Sequence, residues 1–151
     1  MNRVVCGVFC ALCAVAGGSA LAAQPVEVTG AWVRQTVAGQ NATGGFMDIT
    51  SRAGGALVGA SSPVAGRVEV HEMKMDGSTM KMREVDKVDL PAGKPVKLAP
   101  GGYHLMLLDL KKPLLPGAAV PLKLSIAGKD GKRSTVEVRA EVRKLGMAGM
   151  R

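Results

Sequence analysis

The segment at residues 120–142, VPLKLSIAGKDGKRSTVEVRAEV, is the clearest guide to the fold class. In its second half apolar residues alternate with charged ones: Val136, Val138, Ala140 and Val142 against Glu137, Arg139 and Glu141. A period of two places one set of side chains on the buried face of a strand and the other on its exposed face. The turn signal Lys129-Asp130-Gly131 separates this strand from the apolar run before it.

The rest of the chain also consists of short segments that are typical of strands. Short apolar segments bounded by Gly, Pro, Ser or Asp occur at residues 26–28, 31–34, 45–50, 56–60, 68–73, 80–85 and 104–110. No long helical periodicity interrupts them. Regularly spaced short strands predict an all-β, antiparallel β-sandwich. We expect it to be one domain over residues 23–143, followed by a loose tail at 144–151.

The first residues have the pattern of a cleaved secretory signal. Arg3 precedes an apolar run at 4–16, and Ala20-Leu21-Ala22 supplies the small-residue cleavage site. The run is short for a membrane anchor of about 20 residues, and Leu12 stands before Cys13 where a lipoprotein signal needs a small residue. We therefore expect cleavage after Ala22 (signal peptide 1–22), no membrane span afterwards, and a periplasmic protein.

The composition excludes several kinds of site. All three cysteines, Cys6, Cys10 and Cys13, lie in the signal segment, so the exported chain has none. This excludes a disulfide scaffold, a thiolate zinc site, a cysteine nucleophile and a blue-copper centre. The net charge of +8 comes from scattered basic residues with few aromatic rings between them. This pattern favours a positive surface for an acidic partner over nucleic acid.

The chain's two histidines and five of its nine methionines lie in two short segments, 69–82 and 101–106. Residues two apart in a strand share a face, so His71 lies beside Met73 and His104 beside Met106. The first segment also predicts a hairpin around Asp76-Gly77. With these two residues as the loop, His71 faces Met82. With Gly77-Ser78 as the loop, Met73 faces Met82 and His71 faces Glu84. The sequence leaves both registers open.

Imidazoles and thioethers together make a soft, uncharged donor set. Soft sulfur ligands select Cu(I), which imidazole also binds, whereas zinc sites seldom use methionine. In an oxidising compartment a thioether persists where a thiol would be lost to a disulfide. The two segments therefore predict a Cu(I) site, while Met47 is assigned to the core.

The spacing of these residues resembles a known family. His71, ten residues, Met82, twenty-one residues, His104, one residue and Met106 form the H-x10-M-x21-H-x-M signature of PCuAC-type periplasmic copper chaperones. The resemblance extends over residues 26–142 and includes Gly44-Gly45-Phe46-Met47 and the segment at 100–110. It implies a cupredoxin-like (Ig-like) β-sandwich that binds one Cu(I) per chain through His71, Met82, His104 and Met106.

The resemblance also implies a partner and a process. Family members are associated with supplying copper to the dinuclear copper centre of cytochrome c oxidase, often beside Sco-type proteins. Some have a His/Met-rich tail, whereas this chain has only Met147 and Met150 there and no tail histidine, so a second, Cu(II)-type site is not expected. Met73, Met75 and Met80 lie outside the implied ligand set and are candidates for transient contacts.

Three functions remain as alternatives at this point. The first is a monomeric copper chaperone that releases its ion by ligand exchange. The second is a copper-sequestering resistance protein with the same site and no dedicated acceptor. The third is an adhesion or assembly module whose methionines are incidental. No residue pattern indicates catalysis, because a thiol-free site with four protein ligands has no open position for a substrate.

Overall fold

The computed structural model describes residues 25–144, so the predicted signal peptide and residues 145–151 lie outside the described residues. Within 25–144 the chain forms ten strands and no helix. They are β1 (Val26–Arg34), β2 (Thr43–Ser51), β3 (Gly55–Ser61), β4 (Ala65–Asp76), β5 (Thr79–Glu84), β6 (Val88–Leu90), β7 (Pro95–Leu98), β8 (Tyr103–Leu110), β9 (Ala119–Ala127) and β10 (Arg133–Arg143). This part of the chain therefore has no helix long and apolar enough to cross a membrane.

The strands form one sheet in the order β5-β4-β8-β2-β1-β10-β9-β3-β6, and β7 adds to β2 beside β8. A further pairing of β3 with β4, between Ala60 and Val68, closes the sheet on itself. The all-β class predicted from the sequence is confirmed. The short strands β6 and β7 were not predicted, because three or four residues are too few to show a period of two.

The prediction of a purely antiparallel fold is wrong at one pair of strands. The first and last strands run parallel, with Trp32 opposite Glu141 and Arg34 opposite Arg143. A parallel pair needs a long crossover connection, and here strands β2 to β9 supply it. Because this pairing joins residues more than a hundred positions apart, local sequence patterns carry no information about it.

The core follows the predicted alternation. In β9, Val120, Leu122, Leu124 and Ile126 are buried while Pro121 and Lys123 are exposed. Met47 is buried in the same core, as expected. In β10 the alternation is weaker, and Val136 and Val138 are only partly buried. The reason is that β1 and β10 pair over just three residues each, and an open groove of about 840 Å³ separates the rest.

The sheet also has an apolar cluster on its outer face. In β8, Leu105 and Leu107 point into the core, so His104 and Met106, which alternate with them, point the other way. Phe46 and Trp32 lie on this outer face too, with ring centroids 4.5 Å apart, and both are buried. Trp32 and Phe46 therefore form a packed cluster on the outer face of the sheet, separate from the core.

Candidate metal centre

Three neighbouring strands, β4, β5 and β8, bring the predicted ligands to this outer face. His71 and His104 are directly opposite each other across the β4–β8 pair. Met82 comes from β5 and lies opposite Met73 of β4. The hairpin therefore has the second of the two registers considered from the sequence, with Gly77-Ser78 as its loop and Glu84 opposite His71. Met82 still reaches His104, although it comes from a position diagonal to His71.

His104 is the buried member of the group, with only 6% of its surface exposed. Its Nδ1 lies 3.2 Å from the Gly102 carbonyl oxygen. A carbonyl oxygen can only accept, so Nδ1 carries the proton and donates it. Nε2 is then left with a lone pair, and it lies 3.2 Å from Met82 Sδ, which has no proton to give. Two electron-pair donors thus face each other at a distance that a soft cation could bridge.

Burial also keeps this imidazole uncharged. Desolvation lowers the pKa of His104, and the nearby His71 and Arg34 lower it further, while the bond to the Gly102 carbonyl opposes the shift. A neutral imidazole is the form that binds a metal ion. The environment of His104 therefore holds it in a state ready for coordination.

His71 is prepared in a similar way by a residue that the sequence analysis missed. Its Nε2 lies 2.9 Å from Glu69 Oε2. A carboxylate can only accept, so His71 donates from Nε2 and leaves a lone pair on Nδ1. That Nδ1 is buried and has no hydrogen-bond partner within residues 25–144. Glu69 is in turn held by Arg67, whose Nη1 lies 3.1 Å from Glu69 Oε1.

The role of Glu69 could have been predicted from the sequence. Glu69 and His71 are two apart on a predicted strand and therefore share a face. Histidine ligands usually donate their second N–H to a carboxylate or carbonyl, which fixes the ring and its tautomer. The pattern Glu-x-His beside a predicted metal site is the signal that indicates this role.

The open side of the site is a cavity of about 310 Å³. Met82, Met106, Met73 and His104 all line it. Met106 is thus on the same cavity as Met82 and His104, while the His71 ring lies 5.8 Å from the His104 ring, centroid to centroid. The structure brings the four sequence-predicted residues to one place and adds Met73 beside them. Met82 is the most accessible of the four, at 49% exposed.

An aromatic side chain of β2, Phe46, lies beside His104. The Phe46 ring lies 6.2 Å from the His104 ring, and the Arg34 guanidinium lies 6.0 Å from the Phe46 centroid. Gly44 permits this arrangement, because a Cβ there would come within 2.9 Å of the Phe46 ring. The segment Gly44-Gly45-Phe46-Met47 thus supplies a glycine and an aromatic ring to the site and a methionine to the core.

The donor set is nitrogen and thioether sulfur. Within residues 25–144, no three His, Cys, Asp or Glu side chains group closely enough to hold a metal ion. The nearest carboxylate, Glu69, is engaged by His71 and Arg67. What the site offers is two imidazole lone pairs and neutral sulfur atoms, which suit a soft ion of low charge.

Solved structures define the class of fold. The apo PCuAC domain from PmoF1 superposes with a TM-score of 0.63 at 22% identity, covering 80% of this chain and 95% of that domain. The solution structure of CuI-DR1885 from Deinococcus radiodurans has a TM-score of 0.61 at 29% identity, covering 83% of each chain. This chain has the fold of the PCuAC domains.

The family follows from the sequence comparison. Residues 26–142 match the LpqE-like family, described as "Putative lipoprotein LpqE-like". The protein described as "Putative lipoprotein Lxx21020" of Leifsonia xyli subsp. xyli is 36% identical over 119 residues, which cover 77% of this chain and 69% of that protein. The chain belongs to the LpqE-like, PCuAC-type family. The resemblance read from its His and Met spacing is thereby confirmed.

Proposed function

We propose that this protein is a periplasmic copper chaperone that binds one Cu(I) through His71, Met82, His104 and Met106 in a cupredoxin-like β-sandwich. The observation that carries the proposal is the 3.2 Å approach of His104 Nε2 to Met82 Sδ, two lone-pair donors with no proton between them. The other two donors are His71 Nδ1, which is buried and has no partner among the described residues, and Met106, which lines the cavity beside Met82 and His104.

Related structures support copper as the ion. One solved relative is described as copper-bound and another as the CuI form. The ligand chemistry agrees, since neutral sulfur and imidazole favour Cu(I) over harder ions. Four neutral ligands leave the ion's single positive charge, and the Glu69 carboxylate, acting through His71, offsets it without contacting the metal.

Delivery follows from the unequal exposure of the ligands. Met82 is half exposed whereas His104 is buried, so a ligand from an acceptor can approach the ion on the Met82 side. A thioether leaves without taking up a proton, and Cu(I) keeps its charge while one Cu–S bond breaks and a bond to the acceptor forms. No redox step is required and no catalytic residue is involved.

We infer an acceptor at the dinuclear copper centre of cytochrome c oxidase, reached directly or through a Sco-type protein. The positive net charge of the chain is suited to steering it onto an acidic acceptor domain. The protein would act as an exported monomer, and the lipoprotein-like family to which it belongs is consistent with export.

The binding step is tested by anaerobic Cu(I) titration against a competing chelator. The wild-type protein should take up one tightly held Cu(I). The double variant Met82→Leu/Met106→Leu should lose this uptake and keep its fold, while Met47→Leu, a volume-conserving change in the core, should retain it. If the wild-type protein takes up no Cu(I), the proposal is wrong.

The delivery step is tested with the loaded protein and a purified oxidase copper-site domain or Sco-type protein. Transfer faster than the spontaneous loss of copper to solution identifies a chaperone. Transfer no faster than that loss identifies instead a copper-sequestering protein, the alternative that shares the same site.

A further inference from the structure

The β4–β5 hairpin has two unlike faces beyond the His/Met site. On its back face Lys74 is opposite Lys81, and Lys81 forms an ion pair with Asp76. On its front face Met75 is opposite Met80, one step outward from the Met73–Met82 pair. Four thioethers therefore form a ladder that starts at His104 and runs toward the hairpin loop.

Burial does not explain the outer rung of this ladder, Met75 and Met80, which we call the outer methionine pair. Met75 is 55% exposed and Met80 45% exposed. None of the other strands within residues 25–144 covers them, because β5 is the last of these strands at this end of the sheet. These two methionines therefore cannot be explained as residues that fill space in a core.

Strand propensity does not explain the pair either. Exposed strand positions favour β-branched and aromatic residues, and methionine has no comparable preference. What distinguishes methionine from those residues is its thioether, a soft donor on a flexible stem. Directly opposite residues have Cβ atoms about 4.5–5.5 Å apart, so two such stems can bring their sulfur atoms to one cation.

We propose that the outer methionine pair forms a second, weaker Cu(I) position through which the ion enters and leaves the His/Met site. The proposal rests on the function proposed above. Residues two apart in a strand are separated by about 6.8 Å, so the two positions are one thioether exchange apart. In the exchange Cu(I) stays monovalent: a bond to Met82 breaks as one to Met75 or Met80 forms, and no proton moves.

The two positions should differ in strength because of their ligands. The inner site adds two prepared imidazoles to its thioethers, whereas the outer pair has sulfur only and is open to water. We expect the outer position to fill after the inner one and to empty first. A staging position of this kind shortens the path from a half-buried site to a partner.

The test uses Ag(I), a redox-inert stand-in for Cu(I), with the methionine methyl groups of the purified protein labelled for NMR. The first equivalent should shift the methyl signals of Met82 and Met106. Further Ag(I) should shift those of Met75 and Met80 as a second, weaker event. If the first event occurs and the Met75 and Met80 signals then stay in place, the inference fails while the proposed function stands. If there is no first event, the proposed function fails as well.

A variant tests the passage itself. Met75→Leu/Met80→Leu keeps the apolar surface but removes both sulfur atoms. It should bind the first Cu(I) as tightly as the wild type, lose the second equivalent, and release Cu(I) to a small chelator about tenfold more slowly. A small chelator does not dock on the protein surface. A slower release would therefore result from the loss of the two sulfur atoms and not from the loss of a protein–protein contact. Release at the wild-type rate overturns the inference, and Met47→Leu serves as the matched control.

Discussion

Glu69 and His71 lie two residues apart on β4 and are joined by a hydrogen bond in which His71 Nε2 donates to Glu69 Oε2 across 2.9 Å. This bond selects the tautomer that leaves the lone pair on the buried Nδ1. Arg67 holds the other oxygen of the same carboxylate. The proposed ligand is therefore oriented by a charged pair that would not contact the metal itself.

The first prediction concerns this carboxylate. Glu69→Gln removes the charge that favours the Nε2–H tautomer, and we expect Cu(I) affinity to fall about tenfold, at the lower end of the range for such outer partners. The measurement is competition with a Cu(I) chelator at fixed pH. Glu137→Gln, a matched change at an exposed glutamate on β10, should leave the affinity unchanged. Equal affinities for the wild type and Glu69→Gln would show that Glu69 does not position His71.

The second prediction concerns Gly44. Gly44→Ala places a Cβ within 2.9 Å of the Phe46 ring, which is buried against Trp32 and near His104. Forcing an extra methyl group into a packed region costs about 1–3 kcal/mol, so we expect the unfolding free energy to fall by that amount and Cu(I) affinity to fall with it. Denaturant unfolding and chelator competition measure the two effects.

Gly59 provides the control for this change. It also lies on a strand, and a Cβ there would meet nothing within 4 Å. Gly59→Ala should therefore keep both the stability and the affinity close to those of the wild type. If Gly44→Ala is equally harmless, the position of the Phe46 ring does not depend on the absence of a Cβ at residue 44.

The third prediction is a pH dependence of the metal-free protein. Burial lowers the pKa of His104 in the folded state, so the unfolded chain binds a proton more readily than the folded one. The stability contributed by the neutral ring is fully present above the unfolded pKa of about 6.5 and is lost as the pH falls below it. Urea unfolding at about pH 7.5 and about pH 5 measures the decline. His104→Gln should show a smaller decline, and an equally steep one would contradict the assignment to His104.

The fourth prediction concerns export. If the chain is exported as proposed, we expect the mature protein to begin at Ala23, with Cys13 removed and no lipid attached, because Leu12 does not fit a lipoprotein signal. Intact-mass spectrometry of protein isolated from the periplasm measures this directly. A mass that includes an acylated cysteine would contradict this prediction.

Much of the fold was predictable because its information is local. Alternating residues in β9 and β10 and short apolar runs elsewhere indicate strands whatever their partners are. The parallel pairing of β1 with β10 was not predictable, since it depends on the path of all the strands between them. The outer-face cluster of Trp32 and Phe46 was missed for the same reason.

The hairpin register shows what backbone conformation adds. Both registers place two small or polar residues in the loop, so turn composition did not separate them. A loop of Asp76 and Gly77 in a type I′ turn needs a positive φ at both residues. In the structure Gly77 has φ +63° and Asp76 has no positive φ, which fits a type II′ turn with glycine first and Ser78 second. The unfavourable left-handed conformation thus falls on the residue that tolerates it.

The side chains of His104 and Met106 alternate with those of Leu105 and Leu107, which belong to the core. Copper binding at the proposed site would therefore take place on one face of a strand whose other face is packed in the core. Binding would add its free energy to a fold whose core contains none of the proposed ligands, so we expect the empty protein to stay folded. Such a fold would let a cell keep a pool of folded, empty protein that waits for the ion.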